Sequence, residues 1–336
     1  MKKIAAIVTV VAFGLLLAGC ERAQASRADT AIPSGSSELQ AFKTVPSGDA
    51  GVPLEAAASG CGTAVKSGTT IETFSSGGVQ RSYRLHVPKG YDGSKPLALV
   101  VNYHGYSSNA KEQEAYSRMV AQADRSGFIT VTPDGTNNPQ RWYIYGKLER
   151  GYVDDFAFTR DLVNRVSGKL CVDAKRIYAT GISNGGGMSS IAGCQLNDVF
   201  AAIAPVAGSP YSEPNCKNAP PVPVIAFHGT DDKYVPFEGG PSGRLGLPAT
   251  GARENSRQWA AHNGCAPTLS SQRIASDVLF ESYGGCANGA DVQLYVIEGG
   301  GHTWPGSIGT LTLGKSTRSI DATALMWAFF QAHPKP

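Results

Sequence analysis

The chain has 336 residues, 42% of them hydrophobic and 17% charged, which suits one large folded domain with a sizeable core and excludes a highly charged disordered chain. The net charge of +3 includes two lysines, Lys2 and Lys3, in a leader-like start, so the balance implies no nucleic-acid or other polyanionic partner.

Met1-Lys2-Lys3 is a basic n-region, and the apolar run over residues 4–17 is too short to span a bilayer as a helix. It ends in Leu17-Ala18-Gly19-Cys20, which resembles a bacterial lipobox. On that resemblance residues 1–19 are a lipoprotein-type signal peptide and Cys20 is the lipidated first residue. Glu21 after it leans toward the outer membrane of the cell envelope, and plain cleavage with secretion is the alternative. Residues 20–59 are small and polar with scattered Pro and Gly, and read as a flexible tether to a domain over 60–336. The only membrane contact expected is then the anchor at Cys20; oligomeric state is left open.

From residue 60 the pattern predicts a hairpin over 70–87 turning at Gly77-Gly78, then strands near 97–103, 128–132, 176–180, 201–206, 222–228 and 292–297, alternating with helices. Such alternation implies an α/β fold with a mostly parallel central sheet and helices on both faces. Asp154 and Asp155 precede a helical pattern and are read as N-cap residues. The stretch 238–252, rich in Gly and Pro and without periodicity, is expected to rim the functional site. Without Cys20, six cysteines remain (Cys61, Cys171, Cys194, Cys216, Cys265, Cys286), an even number in an exported chain. The local pair Cys265–Cys286 is favoured, with Cys194–Cys216 and Cys61–Cys171 completing the set.

Gly181-Ile182-Ser183-Asn184-Gly185 fits the G-x-S-x-G elbow, with a β-branched run before it and a helical run after it. Glycines flank the serine because the turn is too sharp for side chains there. A serine so presented needs a base and an orienting carboxylate, in the order Ser, Asp or Glu, His. The strand ending in His228-Gly229-Thr230-Asp231-Asp232 offers two carboxylates and does not separate them. Of the later histidines, His262 lies in a helical stretch over 253–262 and His333 at the C-terminus. His302, in the glycine loop Gly299-Gly300-Gly301-His302-Thr303-Trp304-Pro305 after a strand, is the candidate base. An oxyanion would be held by the N–H of Asn184 and by that of Tyr106, in the loop His104-Gly105-Tyr106 after the 97–103 strand. His104 and His228, each before a glycine at a strand end, are read chiefly as loop-shaping. Trp142 and Trp304 are core or pocket residues, and with His104 they stand as substrate-binding candidates. No spacing supports a metal, and no cofactor is implied.

With Arg81-Ser82-Tyr83-Arg84-Leu85-His86-Val87-Pro88 and Val153-Asp154-Asp155-Phe156, these motifs resemble the secreted α/β-hydrolase esterases that include feruloyl esterases and polyhydroxybutyrate-depolymerase-like proteins. The resemblance runs from Gly60 to about Phe330 and implies the α/β-hydrolase fold. In that family the acid is the last residue of H-G-T-x-D, which selects Asp232 over Asp231. The implied activity is a serine carboxylesterase acting through an acyl-enzyme, on feruloyl or hydroxycinnamoyl esters of plant cell-wall polysaccharide. Polyhydroxyalkanoate or another short polyester is the alternative substrate. A non-catalytic glycan-binding lipoprotein is the alternative of another class.

Overall fold

The computed structural model describes residues 60–144, 151–208, 216, 219–242, 247–308 and 312–336. The signal peptide, Cys20 and the tether lie outside the described residues. A ten-stranded sheet carries the domain, in the order β1-β2-β4-β3-β5-β6-β7-β12-β11-β10. Its middle is parallel: β4 (Ile129–Pro133), β3 (Leu97–Tyr103), β5 (Val172–Ile182), β6 (Ala202–Val206), β7 (Val224–Gly229) and β12 (Val292–Ile297). The flanks are antiparallel. On one side lies the hairpin β1 (Gly68–Ser76) and β2 (Val79–Val87), and on the other β11 (Val278–Tyr283) and β10 (Ser270–Ala275).

The central strands read as apolar runs because both of their faces are covered. Alternate residues of β3 show it: Leu99, Val101 and Tyr103 enter one core cluster, Ala98 and Val100 the other. The first cluster packs under α3 (Asp155–Lys169), α4 (Asn184–Gln195) and α5 (Ala252–His262), through residues such as Leu162, Met188 and Trp259. The second packs under α2 (Met119–Ser126) and α6 (Ala322–Ala332), where Phe128 stacks on Trp327 and Tyr178 on Phe330. Helix α1 (Ala110–Ser117) precedes α2. This is the α/β-hydrolase arrangement, and its disulfides are Cys61–Cys171, Cys194–Cys216 and Cys265–Cys286.

Two expectations from the sequence need correction. The stretch 238–252 is not aperiodic rim: it forms a two-stranded hairpin, β8 (Gly239–Ser242) with β9 (Leu247–Thr250). Its glycines at φ 85° and 110° give it a course that hydrophobic alternation does not encode. Asp155 is also not a cap. Asp154 alone caps α3, accepting from the N–H groups of Phe156 (3.1 Å) and Ala157 (2.9 Å). Asp155 turns inward to a buried ion pair with Arg81 at 2.8 Å, and it accepts from the N–H of Tyr143 at 2.8 Å.

Candidate active site

Parallel strands end together, and their C-terminal ends are where loops can converge. Tyr103 of β3 lies beside Gly181 of β5, and Ile182 beside Val206 of β6. Ile297 of β12 lies beside Gly229 of β7. Ser183, Asp232 and His302 therefore follow neighbouring strand ends.

Ser183 occupies φ 58°, ψ −122°, a strained conformation for a residue with a side chain, between β5 and α4. Its N–H donates to Val206 O (2.9 Å), which ties the turn to β6. The glycines on either side are required by contact. A Cβ on Gly181 would stand 2.5 Å from Gly185 O, and one on Gly185 2.4 Å from both Tyr103 O and His104 O. Gly105 has just enough room: a Cβ there would meet Ser183 Cβ at 3.4 Å, so the loop after β3 lies directly against the serine. Among the described residues, no hydrogen bond uses the N–H of Tyr106 or of Asn184. The Asn184 side chain is clamped across Trp142, its Oδ1 accepting from Trp142 N–H (2.7 Å) and its Nδ2 donating to Trp142 O (3.1 Å).

His302 Nδ1 is 2.7 Å from Asp232 Oδ2, and both residues are buried. Asp232 Oδ1 accepts from two backbone N–H groups, Tyr234 (2.8 Å) and Val235 (2.9 Å). His228 Nε2 bonds Val235 O (2.8 Å) and lies 3.4 Å from Asp232 Oδ2. Burial by itself would raise the Asp232 carboxyl, but its hydrogen bonds with His228 and His302 outweigh that and hold it far below the usual aspartate range. Asp231, its neighbour, is exposed. The His302 N–H donates to Leu313 O (2.7 Å), and the Tyr234 ring lies against the imidazole at 5.1 Å between centroids.

Ser183 and His302 line one cavity of about 780 Å3, whose other walls include Tyr106, Tyr116, Ile182 and Leu313. The three substrate-binding candidates do not reach it. Trp142 is buried with its Nε1–H on His104 O (2.8 Å), and Trp304 is buried with its Nε1–H on Thr323 Oγ1 (2.9 Å). The His104 ring is equally enclosed: Nε2 accepts from Gly135 N–H (2.8 Å), so Nδ1 carries the proton toward Gly105 O (2.7 Å). Burial depresses its pKa further. All three are core residues because each polar tip finds a backbone or hydroxyl partner inside the protein. Tyr116 is a cavity residue that the sequence reading missed, and its hydroxyl accepts from Trp304 N–H (3.2 Å). Nothing local in the sequence singles it out, since its place depends on the turn of the chain between α1 and α2.

Residues 81–220 match the family model described as "Esterase PHB depolymerase". This stretch of the chain is similar to that esterase family. The chain is 38% identical over 231 residues to feruloyl esterase B of Piromyces equi, covering 66% of this chain and 42% of that protein. It is 29% identical over 260 residues to feruloyl esterase C of Emericella nidulans, covering 75% and 84% respectively. The fold is similar to that of an acetyl xylan esterase from Aspergillus awamori, with a TM-score of 0.53 at 14% identity, covering 70% of this chain and 94% of that one.

Proposed function

We propose that this protein is a serine carboxylesterase working through an acyl-enzyme. His302 takes the proton of Ser183 Oγ as that oxygen attacks an ester carbonyl, and Asp232 stabilises the imidazolium that forms. The N–H groups of Asn184 and Tyr106 receive the developing oxyanion. Collapse of the tetrahedral intermediate breaks the bond to the alcohol oxygen, which His302 protonates. Water, deprotonated by His302, then attacks the acyl-serine and releases the acid. The observation that carries this reading is the buried 2.7 Å contact of His302 with Asp232 at a cavity that also contains a strained elbow serine.

The acyl group we assign is hydroxycinnamoyl, on plant cell-wall polysaccharide. The feruloyl esterase relatives support it, and a cavity of about 780 Å3 with Tyr106 and Tyr116 in its walls can hold an aromatic acyl group. The family-model description favours a second reading, hydrolysis of polyhydroxyalkanoate. Three disulfides support export, and anchoring through a lipid on Cys20 is the finer proposal. The test is a panel of methyl hydroxycinnamates, short-chain nitrophenyl esters and polyhydroxybutyrate film, run with Ser183→Ala beside the wild type. Loss of turnover on the order of 10⁶ is expected in the variant. Equal rates for the two proteins would refute the serine mechanism.

A further inference from the structure

The two N–H groups assigned above to the oxyanion belong to different loops, Tyr106 after β3 and Asn184 after β5, and a set of buried contacts ties those loops together. The Asn184 amide is clamped to both backbone groups of Trp142, accepting at 2.7 Å and donating at 3.1 Å. The Trp142 indole N–H continues the link, donating to His104 O at 2.8 Å. Trp142 is itself pinned from two sides. The next residue, Tyr143, donates its N–H to Asp155 Oδ2 (2.8 Å), and the Trp142 ring meets the Tyr103 ring edge-on at 5.1 Å between centroids. One chain of contacts therefore runs from the residue after the nucleophile to the loop that carries the second donor.

His104 completes the link. Its imidazole is buried, and its two nitrogens do opposite things. Nε2 accepts from Gly135 N–H at 2.8 Å, which places the proton on Nδ1, and Nδ1–H donates to Gly105 O at 2.7 Å. Gly105 O and Tyr106 N–H belong to one planar trans peptide and point in opposite directions. A carbonyl held toward the buried imidazole therefore turns the N–H the other way, and Tyr106 lines the same cavity as Ser183. Glycine at 105 leaves that peptide free to rotate unless something outside the backbone holds it. The hydrogen bond on the carbonyl also polarises the peptide, which makes its N–H a better donor. We propose that His104 and Trp142 are positioning residues for the oxyanion: they fix the aim of the Tyr106 N–H and its spacing from the Asn184 N–H, and neither lines the cavity. This inference rests on the serine-esterase reading above.

Nitrophenyl butyrate and its thiono analogue, with C=S in place of C=O, share an acyl chain and a leaving group. Sulfur is the larger and weaker acceptor, so the ratio of their kcat/KM values reads the oxyanion donors and cancels what the triad contributes. The wild type is expected to favour the oxygen ester by on the order of 10². His104→Gln and Trp142→Phe should each lower kcat on the oxygen ester by on the order of tenfold or more, with KM nearly unchanged, and shrink the ratio by a similar factor. Two replacements of His104 separate aim from bulk. In His104→Asn the amide reaches the Nδ1 position and can still donate to Gly105 O, whereas in His104→Gln it reaches the Nε2 position and can satisfy only Gly135 N–H. Each gives up one buried hydrogen bond, so their melting temperatures should be similar, yet His104→Asn should recover most of the ratio that His104→Gln loses. A ratio unchanged in both His104→Gln and Trp142→Phe would overturn the inference, as would equal losses on the two esters or a His104→Asn ratio no better than that of His104→Gln. If Ser183→Ala hydrolysed the oxygen ester as fast as the wild type, the esterase reading would fall and this inference with it.

Discussion

Asp232→Asn preserves the shape of the carboxylate and changes the atom that faces His302. The outcome is set by the other end of the group. Oδ1 accepts from two backbone N–H groups, at 2.8 and 2.9 Å, and an NH₂ placed there would meet two donors with a third. The amide oxygen must therefore occupy that position, which puts Nδ2 where Oδ2 now lies, 2.7 Å from His302 Nδ1. A donor facing Nδ1 makes that nitrogen the acceptor and moves the imidazole proton to Nε2, the atom that receives the serine proton in the mechanism proposed above. The same wrong-tautomer effect elsewhere costs on the order of 10⁴ in kcat, which is about 5 kcal/mol in the barrier. Steady-state kinetics on methyl ferulate measures it, with Asp231→Asn as control, since Asp231 is exposed and should matter little. The stability profile gives an independent reading. A carboxyl depressed in the folded state contributes stability that is full above its unfolded value, near 3.8, and is lost as the pH falls toward the folded value. Asp232→Asn should therefore flatten the acid limb of the melting-temperature curve. If Asp232→Asn kept a tenth of wild-type turnover, or if Asp231→Asn were the more damaging change, the acid would be misassigned.

Asp155→Ala should cost about 3–5 kcal/mol in denaturant unfolding, because it leaves the buried Arg81 guanidinium without its carboxylate and Tyr143 N–H without its acceptor. A cost under about 1 kcal/mol would mean that water or Asp134 compensates the cation. Tyr234→Ala removes the ring that lies 5.1 Å from His302 but keeps the backbone N–H on Asp232, so kcat should fall with KM nearly unchanged. Tyr234→Phe should restore most of the rate, and a rise in KM alone would show that the ring contacts substrate instead. Cys265→Ser opens a loop of sequence separation 21 and should cost about 3 kcal/mol, seen as a lower melting temperature. Turnover at room temperature should hold, since the cavity is lined by residues between 105 and 118, by Ile182 and Ser183, and by His302, Gly306, Ser307, Ile308 and Leu313. Recovery of Cys286 in another disulfide by non-reducing peptide mapping would refute the pairing.

What could be read from the sequence was whatever short segments determine. The run Leu97–Tyr103 is apolar throughout because β3 is covered on both faces, and the strand lies where that run does. The elbow is legible because steric need for glycine at Gly181 and Gly185 is local. The hairpin β10–β11 is not in the sequence reading, because its first strand is polar and largely exposed and the apolar run of its second strand is only three residues long. Asp154 and Asp155 looked alike as neighbours at a helix start, yet one step along the helix separates a solvent-side cap from a side chain buried against Arg81. Trp304 exposes the same limit at the site itself. Two residues from His302 along the chain, it looked like a pocket residue, but Gly301 N–H and His302 N–H are held by Lys315 O and Leu313 O. That pairing fixes the imidazole at the cavity, and the indole two positions on meets Thr323 of α6 in the core. Leu313 of this returning segment, with Gly306, Ser307 and Ile308, also lines the cavity. The shape of the cavity beside Ser183 therefore depends on where the chain goes after His302, a long-range property that neither the elbow nor the H-G-T-x-D motif encodes.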